Sequence, residues 1–140
     1  MKKLATILLL ALLIGSASCK AQSNPKAEAA ALSAAETWLT LVEDQKYGES
    51  WDEAAKVFKE AIPRENWIQT MQSVRKPLGK TLNRELKTST YRTTLPGAPD
   101  GEYVVIQFET SFENKKSAIE TITPALDKEG KWRVSGYYIK

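Results

Sequence analysis

Histidine is missing from all 140 residues of the chain, and cysteine occurs once, as Cys19. Without histidine no Ser/His/Asp or Cys/His nucleophilic site can be assembled. A zinc site would lack its usual nitrogen and sulfur ligands, and no side chain titrates near neutral pH at its ordinary value. One cysteine forms no internal disulfide, even in an oxidising compartment. Neither a metal nor a cofactor is expected, and any chemistry falls to carboxylates, tyrosines and lysines. Charge of one sign is also in short supply. With Lys2 and Lys3 set aside, 18 basic residues face 17 acidic ones, and no later Lys/Arg run exceeds Arg75-Lys76 or Lys115-Lys116. Nucleic-acid binding needs a basic face and is not expected.

Long apolar runs are absent apart from Leu4–Ile14, which is shorter than the roughly 20 residues that cross a bilayer. Lys2 and Lys3 precede that run and Gly15, Ser16 and Ala17 follow it, the layout of a secretory signal over residues 1–21. Two cleavage positions fit. A cut before Cys19 makes it a lipid-attachment cysteine, and Lys20 behind it directs the anchored form to the outer membrane. A cut after Ala21 yields a soluble periplasmic protein. Contact with a membrane is expected only through such an anchor. Residues 26–140 then form one domain, of a size that buries about two-thirds of its unfolded surface.

Three amphipathic helices are predicted. Asn24-Pro25 supplies an N-cap and a first helical residue. Ala31, Ala34, Ala35, Trp38, Leu41 and Val42 then recur at helical spacing, and Gly48 is placed to end the helix. Ser50 and Glu53 read as a capping box, opening a second helix with Trp51, Ala54, Ala55, Phe58, Ala61 and Ile62 on one stripe. Pro63 closes it and starts the third, with Trp67, Met71, Val74 and Leu78. From Thr81 onward the composition turns to alternating Thr, Val, Ile, Phe and Tyr, broken at PGAPDG, ENKK and DKEG. Four antiparallel strands follow, near 82–95, 102–113, 116–126 and 131–139, joined by short turns as a meander. The fold class is α+β, three N-terminal helices on one face of a four-stranded antiparallel sheet.

The turns imply a register. A loop at Asn114 and Lys115 sets Glu109 opposite Glu120, and a turn about Lys128 and Glu129 sets Glu120 opposite Tyr137. Val104, Ile106, Phe108, Phe112, Ile119, Trp132, Val134 and Tyr138 then form the core face. Glu109, Glu120 and Tyr137 share the outer face with Tyr103, Val105, Ala118, Ile122 and Ile139. Opposed carboxylates about 5 Å apart make either an acid/base pair or two solvated acids. The apolar share of that outer face points to a second subunit or an envelope protein partner.

The stretches WLTLVEDQKYGESWDEAAKVFK, WIQTMQSVRKPLGK, TLPGAPDGEYVVIQFETSFENKKSAIETITP and GKWRVSGYYIK resemble the exported bacterial family catalogued as domain of unknown function 4019. The resemblance implies a cone outline, cystatin-like or nuclear-transport-factor-like, and no assigned reaction. In such a cone a small apolar ligand enters between helices and sheet, near Thr110, Thr121, Thr123, Trp132 and Tyr138, against a core face that carries no acid on the last three strands. Three function classes follow: a non-catalytic module binding a small ligand or a protein, a small hydrolase or isomerase on Glu109 and Glu120 with Tyr137 as donor, and a dimerisation domain.

Overall fold

The computed structural model describes residues 22–140. The predicted leader, its two cleavage positions and Cys19 lie outside the described residues. Four helices, α1 (Pro25–Glu43), α2 (Tyr47–Asp52), α3 (Lys56–Ala61) and α4 (Arg64–Val74), and a 3-10 turn at Lys76–Leu78 precede four strands. These are β1 (Thr81–Arg92), β2 (Tyr103–Phe112), β3 (Lys115–Leu126) and β4 (Trp132–Ile139). They form one antiparallel sheet in the order β1-β2-β3-β4, the predicted α+β meander. No helix among the described residues is long and apolar enough to cross a membrane.

Asn24 caps α1 as its sequence implies: its side-chain oxygen accepts from the Ala27 N–H at 3.2 Å, and Pro25 opens the helix. The helix ends earlier than Gly48. Gln45, at φ 60°, turns the chain after Glu43, and Gly48 falls within α2. There it leaves room for the Arg64 guanidinium, which an added β-carbon would meet at 2.4 Å. The single helix expected from Ser50 to Ile62 is two, because the Ala55 N–H leaves the helical ladder and donates to Val134 O at 2.8 Å. That bond closes the outer edge of β4 at Val134.

Ser50 is not the N-cap its spacing suggests. It is buried inside α2, where its hydroxyl donates to Tyr47 O at 2.7 Å. The same hydroxyl accepts from the Trp67 indole at 2.9 Å, and the Ser50 carbonyl accepts from the Trp38 indole at 2.8 Å. Phe58 stands edge-on to Trp67, with ring centres 4.9 Å apart. This aromatic cluster of the helices joins Tyr91, Val104, Ile106, Phe108, Ile122 and Val134 of the sheet in one core.

The sheet departs from the predicted register in two places. The β2–β3 turn is Glu113-Asn114, with Phe112 opposite Lys115, and a shift follows between Thr110 and Phe112. Glu109 therefore faces Ile119, and Glu120 faces Phe108. Because side chains alternate along a strand, this one-residue slip carries every β3 side chain to the opposite face. Between β3 and β4 a second bulge at Ser135 leaves Trp132 and Val134 near Leu126 and Pro124 but sets Tyr137 opposite Ile122. Ile122 is fully buried while Tyr138 is 51% exposed, so the two faces are exchanged relative to the expectation for these residues. Ala118 is buried as well, and Tyr103 is covered by the loop before it, its hydroxyl reaching Pro99 O. The apolar outer patch expected from Tyr103, Ala118 and Ile122 therefore does not form.

Candidate functional site

Glu120 is the largest consequence of the slip. Its side chain has no exposed surface, and it carries an acid onto the core face, where none was expected. Three donors surround it. Arg84 Nε of β1 donates to Oε1 at 2.8 Å, Thr110 Oγ1 of β2 donates to the same oxygen at 2.6 Å, and the Tyr137 hydroxyl of β4 donates to Oε2. Arg84 continues the chain of contacts by pairing through Nη1 with Glu43 at the end of α1. Glu43 accepts from Thr81 Oγ1 at 3.2 Å, and Thr81 accepts from Arg75 Nη2 at 3.3 Å. Positive and negative groups thus alternate from Arg75 through Glu43 and Arg84 to Glu120, touching α1, the end of α4 and all four strands.

The buried guanidiniums are held by more than charge. Arg75 also donates to Gly79 O at 2.6 Å and lies 4.6 Å from the Phe112 ring centre, and Arg84 lies 5.7 Å from that of Phe108. For Arg84, burial works against its charge, but the hydrogen bond and charge of Glu120, reinforced by Glu43, raise its pKa above the ordinary value. Burial, then the charge and hydrogen bond of Glu120, push Tyr137 well above the ordinary tyrosine value.

The alkaline behaviour follows. A folded-state value above the unfolded one gives stability that is intact below about pH 10 and is lost as pH rises through the folded value. Unfolding by urea between pH 9 and 12 is expected to show this loss in the parent and a flatter profile in Tyr137→Phe. An unchanged slope in the variant would count against the assignment.

The predicted carboxylate pair is not brought together. Glu109 lies on the other face, its side chain 60% exposed, 3.5 Å from Lys87, while Glu120 and Tyr137 meet inside. The expected ligand set is dispersed too. Thr110 is committed to Glu120. Thr121 is buried with its hydroxyl oxygen unpartnered among the described residues, and the Thr123 carbonyl accepts from Ser135 at 2.7 Å. Tyr138 lies outside beneath the Lys140 ammonium.

Of that set two line cavities: Thr110, at a hollow of about 240 Å³ that Glu109 also borders, and Trp132. Trp132 borders a groove of about 520 Å³ between α1 and β4, walled by Ala30, Ala34, Trp38 and Leu41 on one side and by Trp132 and Val134 on the other. Lys131, Arg133 and Glu53 stand at its rim. Arg133 is engaged, with Nε 2.9 Å from Asp127 and Nη1 3.4 Å from Glu53. A backbone N–H from Lys131, opposed by burial and helped by Arg133, holds the Asp127 carboxyl below its usual range. The groove was missed because Ala34 and Leu41 read as core positions, whereas both are half-buried. The available signal was the run of small and hydroxyl residues at Ala30, Ser33, Ala34 and Thr37, one face of α1 with nothing bulky enough to pack. Among the described residues no group of three or more carboxylates, cysteines and histidines is placed to hold a metal ion.

A family model described as protein of unknown function (DUF4019) matches residues 34–137, from the middle of α1 to Tyr137. No curated protein matches the chain.

Proposed function

The chain belongs to the family described as protein of unknown function (DUF4019), and from that premise we propose that it is an exported, non-catalytic binding module of the cell envelope. It acts in the periplasm, soluble or anchored through Cys19, and takes a small ligand in the groove between α1 and β4. The groove carries this reading: its volume of about 520 Å³ lies in the range of small-molecule sites, and its walls mix apolar side chains with the hydroxyl residues Ser33, Thr37 and Thr40 and with charged groups at the rim. The layering of helices over a meander sheet is in keeping with a cystatin-like cone.

The hydrolase or isomerase alternative has less support. Its base would be Glu120, which has no exposed surface and already accepts three hydrogen bonds, and Glu109 faces away from it. Native mass spectrometry of the protein taken from the envelope fraction tests the proposal. A retained small-molecule adduct is expected in the parent and is expected to be lost in Ala34→Trp, which fills the groove. Turnover by the purified protein that a single substitution abolishes would overturn the non-catalytic reading.

A further inference from the structure

Four tryptophans pack in or against the core, and three of them use their indole N–H inside the protein. Trp38 donates to Ser50 O, Trp51 to Ile62 O at 2.7 Å, and Trp67 to Ser50 Oγ. Trp132 is the exception: among the described residues its indole N–H donates to no group, and its ring lines the groove. Buried or half-buried indoles ordinarily find an acceptor, so an unused donor on a cavity wall marks where a ligand's acceptor would sit.

The other polar groups of the groove narrow the choice. Thr37 Oγ1 donates to Ser33 O at 3.0 Å and Thr40 Oγ1 to Thr37 O at 2.6 Å. These hydroxyl protons are consumed by the α1 backbone and offer a ligand nothing to accept. At the rim, Arg133 is neutralised by Asp127 and Glu53. Lys131, exposed and adjacent to Trp132, forms no ion pair among the described residues. Arg133 and Lys131 are balanced in number by Asp127 and Glu53, but the unused donors of the Lys131 ammonium and the Trp132 indole stand together at one end of the groove, while along α1 its walls mix apolar side chains with Ser33, Thr37 and Thr40. From Ala30 to Leu41 the groove runs along about 16 Å of α1.

We propose that the α1–β4 groove binds a small amphipathic anion, its apolar body lying along Ala30, Ala34, Trp38 and Leu41 and its carboxylate or equivalent acidic head meeting the Trp132 indole N–H and the Lys131 ammonium. The inference rests on the groove being the binding site, and adds the charge and orientation of the ligand. A neutral or cationic molecule of the same length leaves the indole or the lysine without a partner, which is the source of the selectivity.

Calorimetric titration of the purified protein with decanoate, decanol and decyltrimethylammonium, each below its micelle-forming concentration, tests it. Decanoate is expected to bind about tenfold more tightly than decanol, the scale of one charge-assisted hydrogen bond, and the ammonium is expected not to bind. Trp132→Phe is expected to weaken decanoate about fivefold while leaving decanol unchanged. Lys131→Gln is expected to shrink the preference for decanoate and its salt dependence, and Ala34→Trp to abolish binding of both. Equal affinity for all three, with Ala34→Trp still blocking them, would overturn the anion assignment and leave the groove standing as a site. A preference for decanoate that survives Ala34→Trp would place the anion elsewhere and overturn the inference. Absence of decanoate binding would do the same, leaving the binding-module reading to the adduct experiment.

Discussion

Replacing Glu120 with leucine is expected to lower the free energy of unfolding by about 3–5 kcal/mol, the usual cost of removing one partner of a buried ion pair. The carboxylate accepts from Arg84, Thr110 and Tyr137. Its loss leaves two hydroxyls and part of a guanidinium without acceptors where water does not reach. Arg84 keeps Glu43, so its charge is not wholly abandoned. Adding Arg84→Met is therefore expected to recover much of the loss, since buried ion pairs are often replaceable by apolar groups of similar size. Glu109→Gln is the contrasting substitution, expected to stay within about 0.5 kcal/mol as at other solvated positions. Urea unfolding, compared at equal m-values, measures all three. A loss below about 1 kcal/mol for Glu120→Leu would mean that the network contributes little.

Trp38→Ala is expected to cost a similar amount, about 3–5 kcal/mol, as a large-to-small change in the core. Trp38 meets the Tyr137 ring edge-on at 5.3 Å and the Trp67 ring at 6.0 Å, and its indole satisfies the Ser50 carbonyl. It couples α1 to α2, α4 and β4 at once. Trp38→Phe separates packing from hydrogen bonding: it keeps an aromatic ring and is expected to cost only about 1 kcal/mol beyond the packing change, for the unsatisfied Ser50 carbonyl. Thermal unfolding resolves the two variants. Equal melting temperatures for Ala and Phe would show that the ring's contacts carry nothing.

The helices and strands were legible because each rests on many residues. The Trp38, Trp67 and Met71 stripes repeat at helical spacing, and β2 alternates cleanly from Tyr103 to Phe112, so one misplaced residue does not erase the signal. The faces of β3 and of the end of β4 rest instead on parity. A bulge inserts one residue with no mark in composition, and the shifts near Ser111 and Ser135 each reversed what followed. Glu120 was therefore placed on the outer face when it is the most enclosed charge in the sheet. Its sequence neighbours gave no warning, since IETIT alternates equally well in either phase. Ser50 was misread for a related reason. Its spacing from Glu53 fits a capping box, while its partners, the indoles of Trp38 and Trp67, lie 12 and 17 residues away.

The extra residue at Ser135 constrains how the length of this chain can change. Beyond that point β4 presents Tyr137 inward and Tyr138 outward only because one residue is out of step with β3. Deleting Ser135 would exchange the two tyrosines: the hydroxyl that meets Glu120 would leave the interior, and its ring would leave Trp38. A loss of one residue there is therefore more disruptive than many substitutions, whereas the loop from Thr93 to Glu102, outside the strands, absorbs insertions without altering phase. Related chains of different length are thus expected to vary in that loop and to keep an unchanged residue count from Glu120 to Tyr137.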